Sequence, residues 1–96
     1  MPVVRSLFVI RGLVQGVNFR AMAAREAAKR RITGRVWNRD DGAVGIIAEG
    51  EGAAIDEFER WLKVGPRLAD VESVERQDSA GERQYQDFSV AYGPSS

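Results

Sequence analysis

The 96-residue sequence contains no cysteine and no histidine. Without cysteine, neither a disulfide nor a thiolate nucleophile is available, and a reducing compartment is compatible with the chain. Without histidine, the Ser-His-Asp and Cys-His systems, histidine general bases and the usual zinc sites are excluded. Any catalysis by this chain therefore depends on other side chains and on the backbone.

The sequence also lacks an excess of one charge and any long apolar run. Lys plus Arg and Asp plus Glu number 14 each, so no global field attracts nucleic acid or an anionic membrane, and a cationic site must be local. No run approaches the roughly 20 apolar residues of a membrane span, and the first six residues do not read as a cleaved leader. We predict a cytoplasmic monomer without nucleic-acid or membrane partners.

The hydrophobic pattern predicts a mixed α/β domain, since 44% of residues are hydrophobic and 29% are charged, as in ordinary globular chains. The predicted elements are a strand over 5–11, a helix over 19–31, strands over 35–38 and 43–48, a helix around 54–62, a strand over 71–76, a loop over 77–84 and a strand over 88–92. This order predicts an α+β, ferredoxin-like split βαβ sandwich with an extra C-terminal strand. Two helices would then lie on one face of a largely antiparallel sheet.

Single residues refine this prediction. The strand over 5–11 is expected to be central and covered, at least in part, on both faces. Gly34 is read as the stop of the first helix and Gly65-Pro66 as the stop of the second. In the strand over 71–76, Val71 is expected on one face and Val74 on the other.

The run from Gly12 to Arg20 is the strongest candidate for a binding site. It leads from a strand into a helix, so backbone N–H groups and the positive end of the helix meet there. Arg20 adds a planar guanidinium that can hold two oxygens of a phosphate or carboxylate. We call residues 15–20 the anion cradle; its predicted backbone donors are Gln15, Gly16, Val17, Asn18 and Phe19. No P-loop and no G-x-G-x-x-G motif is present.

Other polar and aromatic residues admit a structural reading beside a functional one. Asn38 precedes the Asp41-Gly42 hairpin turn, so it reads either as an Asx-turn residue or as a ligand-facing amide. Asp40 and Asp41 read as turn formers rather than magnesium ligands. The cations at 29–31 complement the end of the first helix more simply than they form an anion patch. Phe58 and Trp61 read as core rather than as a cofactor contact.

The motif Gly12-x-Val14-Gln15-Gly16-Val17-x-Phe19-Arg20 resembles the signature of the acylphosphatase family. Similar blocks follow at 34–38, 41–44, 65–66, 69–71 and 88–92, so the resemblance covers nearly the whole chain. It implies an acylphosphatase-like domain over residues 1–92, with 93–96 as a disordered tail. It also implies hydrolysis of a small acyl phosphate to a carboxylate and inorganic phosphate, which serves as product or inhibitor, with no metal or cofactor. In that family the arginine at the position of Arg20 binds phosphate, and the asparagine at the position of Asn38 orients water.

Two alternative functions compete with this enzyme. The first is a regulatory module of the same fold that binds phosphate or carboxylate with little catalysis. The second is a domain of a larger carbamoyl-phosphate-handling protein, which the one-domain length and the missing zinc-site cysteines disfavour.

The chemistry of acyl phosphate hydrolysis also suits a site without histidine. Loose phosphoryl transfer needs mainly charge stabilisation and an aligned water molecule.

The sequence departs from the family pattern at several positions. Arg35 and Trp37 exchange the usual order of an aromatic and a basic residue. Gly45 stands where glutamate is common, and glycine is expected to weaken that strand slightly. Asn18 is an unusual residue within the cradle and is expected to alter access or substrate preference. Ala91 replaces a frequent basic residue, which removes a contact that could support the site from behind and predicts lower turnover.

Overall fold

A computed structural model describes residues 3–92 and contains one five-stranded sheet and two helices. The elements are β1 (Val4–Leu13), α1 (Phe19–Lys29), β2 (Thr33–Asn38), β3 (Val44–Gly50), α2 (Gly52–Val64), β4 (Asp70–Ala80) and β5 (Phe88–Ala91). The strand order is β4-β1-β3-β2-β5, and every neighbouring pair is antiparallel except β2 and β5. Because β3 lies between β1 and β2, the predicted split βαβ, ferredoxin-like fold is confirmed. The tail expected at 93–96 lies outside the described residues.

One hydrophobic core fills the space between the sheet and both helices. Its central members have almost no exposed surface: Phe8, Ile10, Val36, Val44, Ile46 and Ala48 come from the strands, and Phe19, Ala23, Ala27, Ile55, Phe58 and Leu62 from the helices. The helical members recur every three to four residues, which is the spacing of an apolar stripe on one face of each helix. The Phe58 ring packs edge-on against Phe8 at 6.1 Å and parallel to Trp61 at 6.5 Å, so both aromatic side chains of α2 belong to the core.

The opposite face of the sheet carries no helix among residues 3–92. Strand β1 is paired on both edges, but only its Phe8 and Ile10 face packs against the helices, and Leu7 on the other face is 41% exposed. The second face is nevertheless partly covered, since Val9 is half-buried, so β1 is central and covered at least in part on both faces, as expected. Neither helix in this part of the chain has the length and apolar character to cross a membrane.

Strand β4 is longer than its sequence pattern predicts. Residues 77–80, expected as part of a loop, continue the antiparallel pairing with β1 as far as Ala80 opposite Val4. These residues are exposed and lack a large hydrophobic side chain. Backbone pairing at the sheet edge holds them in the strand, so their sequence shows no hydrophobic alternation. At the other end of the sheet, β5 stops at Ala91, and the predicted strand residue Tyr92 is 94% exposed.

A bulge changes the faces of β4. Gly12 pairs with Val71 whereas Arg11 pairs with Ser73, so one extra residue of β4 lies between these pairs. As a result Val71 and Val74 both pack against the core, and their predicted placement on opposite faces is wrong. Gly12 has a φ of 127°, and a Cβ there would collide with the Asp70 carbonyl oxygen. This glycine therefore serves the close approach of β4 rather than the anion cradle.

Helix α1 ends earlier than predicted. Its last residue is Lys29, and Arg31 beyond it has a left-handed φ of 56°. Gly34 is not the helix stop but a buried residue of β2 with a φ of 146°, where a Cβ would collide with the carbonyl of Ile47. The end of α2 is as predicted: Gly65, with a φ of 70°, donates to the Trp61 carbonyl at 2.7 Å.

Candidate active site

A cavity of about 160 Å³ lies at the N-terminus of α1, where the end of β2 and the edge strand β5 converge with it. It is lined by Val14, Gly16, Asn18, Phe19, Arg20, Ala21, Asn38 and Val90. The split topology explains this convergence, since α1 connects β1 to β2 and β5 adds parallel to β2. Arg20 and Asn38, selected from separate motifs, are thus brought to one cavity.

The loop before α1 has two residues in the left-handed region. Gly16 has a φ of 75°, and Asn18, the N-cap residue, has φ 64° and ψ 23°. Glycine and asparagine are the residues that adopt this region most readily. Within residues 3–92, the amides of residues 15–20 donate no hydrogen bond. These donors are available to an anion at the positive end of α1.

Arg20 is half-buried in the first turn of α1. Its Nη1 donates to the carbonyl oxygen of Ala91 at 3.4 Å, which ties the guanidinium to the end of β5. This contact uses the backbone of residue 91 and does not depend on its side chain. Arg20 forms no ion pair within the described residues, in contrast to Arg5, Arg11 and Arg76. Its charge and its remaining donors are thus not committed to a described carboxylate.

Asn38 is the last residue of β2 and faces the cavity. Its Oδ1 atom is buried and has no hydrogen-bond partner in the described part of the chain. A buried carbonyl-type oxygen left unpaired costs about 1–3 kcal/mol. The arrangement therefore favours a donor, such as a water molecule or a substrate hydroxyl, on this oxygen. The hairpin turn beside it does not use the Asn38 side chain.

The turn between β2 and β3 is organised by Asp41. Its carboxylate accepts hydrogen bonds from both Nε and Nη2 of Arg39 at 3.1 Å, and from the Ala43 amide at 3.1 Å. The Arg39 guanidinium, then the Ala43 amide and Arg11, hold the pKa of Asp41 well below its ordinary value of 3.8. Asp41 thus acts as a turn former, as predicted, while Asp40 is exposed.

The cations at the end of α1 are also engaged locally. Lys29 and Arg30 both pair with Glu26, at 3.0 and 2.9 Å, and Arg30 lies 3.8 Å from Glu57. Hydrogen bonds from Arg30 and then Lys29 lower the pKa of Glu26. Arg30 Nη1 also donates to the Glu26 carbonyl in the last turn. These contacts agree with the helix-end interpretation rather than with an anion patch.

Two of the predicted cradle residues do not line the cavity. Val17 is half-buried and packs against the hydrophobic core. The side chain of Gln15 turns away, and its Nε2 donates to the carbonyl oxygens of Arg39 and Ala43. Conversely, Val14, Ala21 and Val90 line the cavity without having been predicted. Val90 belongs to the predicted alternation of β5, but nothing in the sequence links that strand to the N-terminus of α1.

Known proteins share this fold and match most of the chain. Residues 7–90 match the family model described as Acylphosphatase. The acylphosphatase of Pasteurella multocida is 44% identical over 85 residues, covering 88% of this chain and 94% of that relative. The crystal structure of acylphosphatase from Bacillus subtilis has a TM-score of 0.90 and 36% identity, covering 93% of this chain and 99% of that one. A structure of full-length HypF matches with a TM-score of 0.85 and 29% identity, over 95% of this chain and 12% of that one.

Proposed function

The chain belongs to the acylphosphatase family, and we propose that Arg20 and the anion cradle bind the phosphoryl group of the substrate while Asn38 orients the attacking water. The enzyme is a hydrolase that cleaves acyl phosphates to a carboxylate and inorganic phosphate. The roles of these residues and the independence of catalysis from a metal are proposed from the geometry of the cavity.

The observation that carries the proposal is the unpaired Oδ1 of Asn38 in the same cavity as Arg20. An amide oxygen is a hydrogen-bond acceptor, so it can hold one hydrogen of a water molecule and direct the oxygen lone pair toward phosphorus. The carboxylate then leaves as the bond between phosphorus and the acyl oxygen breaks. An amide is a poor base, so the proton of the water passes to a phosphoryl oxygen of the substrate.

Charge stabilisation comes from the anion cradle and Arg20. The unpaired amides of Gly16, Asn18 and Phe19, the N-terminus of α1 and the guanidinium of Arg20 all contribute positive charge at this cavity. The contact between Arg20 Nη1 and the Ala91 carbonyl restrains the guanidinium, so less side-chain entropy is lost on binding. A loose phosphoryl-transfer transition state asks mainly for such positioning and charge, and this supports chemistry without a metal.

The first experiment measures benzoyl phosphate hydrolysis, with inorganic phosphate as a competitive inhibitor. A parallel assay adds a metal chelator to test independence from a metal. Asn38→Ala is expected to lower kcat by roughly 10² or more while the inhibition constant of phosphate stays unchanged, because only water alignment is lost. The chelator is expected to leave turnover unchanged. Normal turnover of Asn38→Ala would contradict the role assigned to Asn38.

A second variant tests the phosphate side. Arg20→Lys is expected to weaken phosphate inhibition by about tenfold or more, since an ammonium cannot reproduce the planar fork. Arg25→Lys is the matched control, because Arg25 lies on the same helix but is exposed and does not line the cavity. Equal inhibition constants of phosphate for the two lysine variants would contradict the role of Arg20 in binding phosphate.

A further inference from the structure

The side chain of Gln15 forms a bridge between the anion cradle and the turn that follows Asn38. Its Nε2 lies 2.8 Å from the carbonyl oxygen of Arg39 and 2.9 Å from that of Ala43. These two carbonyls belong to the two sides of the hairpin turn, so both hydrogens of one amide group are used. The Gln15 side chain is half-buried and points away from the cavity that its neighbour Gly16 lines.

No other hydrogen bond between described groups joins residues 14–20 to residues 38–43. The distance between the cradle and Asn38 is therefore fixed by core packing and by the side chain of Gln15. Asn38 is directly bonded to Arg39, whose carbonyl is one of the two acceptors. A movement of the turn relative to the cradle would thus move Asn38 relative to the bound phosphoryl group.

The turn itself does not need Gln15 to stay closed. The Arg39 amide donates to the Ala43 carbonyl at 2.8 Å, and the Gly42 amide donates to the Arg39 carbonyl at 3.3 Å. Each carbonyl that Gln15 contacts therefore keeps a second hydrogen bond when the side chain is removed. This arrangement separates the function of the bridge from the stability of the hairpin.

We infer that Gln15 is a positioning residue for hydrolysis, whose side-chain amide sets the distance between the phosphate held by the cradle and the water held by Asn38. This inference rests on the proposed function. A displacement of about 1 Å between reacting groups can cost about a hundredfold in rate. The cradle amides and Arg20 stay on α1 and its preceding loop, so phosphate affinity is retained when the bridge is lost.

The test is a double-mutant cycle on benzoyl phosphate hydrolysis with Gln15→Met, a variant of similar length without donors. We expect kcat to fall about tenfold to a hundredfold, with the inhibition constant of inorganic phosphate changed by less than about twofold. In the Asn38→Ala background, the same change is expected to lower kcat by less than about threefold, because the group being positioned is gone. Gln86→Met, an exposed substitution of the same kind, is the control.

Gln15→Asn provides a second variant if Gln15→Met does not fold, since it keeps the amide but cannot reach both carbonyls. An equal loss of kcat with and without Asn38, a weakened phosphate inhibition in both variants, or an unchanged kcat would each overturn the inference. These outcomes differ from a failure of the proposed function, in which Asn38→Ala by itself would leave kcat unchanged.

Discussion

Substitution of Gly45 by alanine tests how tightly the open face of the sheet is packed. Gly45 of β3 lies directly opposite Trp37 of β2, and a Cβ at Gly45 would lie 2.6 Å from both Cε2 and Cζ2 of the indole and 3.0 Å from its Nε1. Trp37 is only 7% exposed. The glycine therefore makes room for the indole ring, and the expectation that it merely weakens the strand misses this role.

Two opposing effects decide the magnitude. Gly45 is not among the glycines with positive φ, so alanine fits the backbone and would stabilise the fold by about 0.4–1 kcal/mol by restricting the unfolded chain. Overpacking of a well-packed site costs about 1–3 kcal/mol. Overpacking dominates, because the rigid ring must move as a whole to relieve contacts this short. We expect the free energy of unfolding to fall by about 1–2 kcal/mol, and Tm to fall by roughly 4–8 °C for each kcal/mol.

The assay is urea unfolding followed by circular dichroism, with Gly52→Ala as the matched control. A Cβ at Gly52 would lie 3.8 Å from Cγ2 of Val4, an ordinary contact, and residue 52 begins α2. The control is expected to be neutral or to gain up to about 1 kcal/mol from helix propensity. In a Trp37→Val background, Gly45→Ala should change the free energy of unfolding little, since the indole ring is absent. A wild-type stability for Gly45→Ala, or an equal loss in both backgrounds, would refute this reasoning.

Two further predictions concern charged groups of the sheet. Glu49 is fully buried, pairs with Arg5 at 3.1 Å and accepts hydrogen bonds from the amides of residues 84 and 85. Glu49→Ala should therefore lower the free energy of unfolding in urea by about 3 kcal/mol. It should also speed hydrogen exchange of those two amides, and unchanged exchange would contradict the role of Glu49. Hydrogen bonds from Arg76 hold the pKa of Asp78 below its ordinary value of 3.8, so the stability that this carboxylate contributes is complete above that pH and is lost as the pH falls through the lower folded-state pKa. The difference in unfolding free energy between wild type and Asp78→Asn should accordingly shrink between neutral pH and about pH 2; a difference independent of pH would contradict it.

The regions where sequence and structure agree are those where local chemistry decides the conformation. The apolar stripe of α2 and its Gly65-Pro66 stop are visible in the sequence because helical periodicity and helix ends depend on neighbouring residues. The same holds for the hairpin at Asp41-Gly42, where the turn requires a left-handed residue. The cradle motif likewise lies in one continuous run of the chain.

Features that depend on strand pairing are not visible in the sequence. Residues 77–80 are exposed and lack a large hydrophobic side chain, and they form a strand because their backbone pairs with β1. The bulge at Gly12 that turns both Val71 and Val74 toward the core is a property of two strands together. The space above Gly45 is likewise defined by Trp37 from another strand.

The sequence by itself indicated the class of fold through the order of its elements, and it selected the anion cradle, Arg20 and Asn38 as candidates through short motifs that resemble those of the acylphosphatase family. Only the tertiary structure decided that the Asn38 Oδ1, in the cavity that Arg20 also lines, is buried without a described partner, and that Gln15 bridges to the turn. The physical reason is that a motif specifies donors and backbone conformation locally. The distance between two motifs is set by the sheet order and by contacts between residues far apart in the chain.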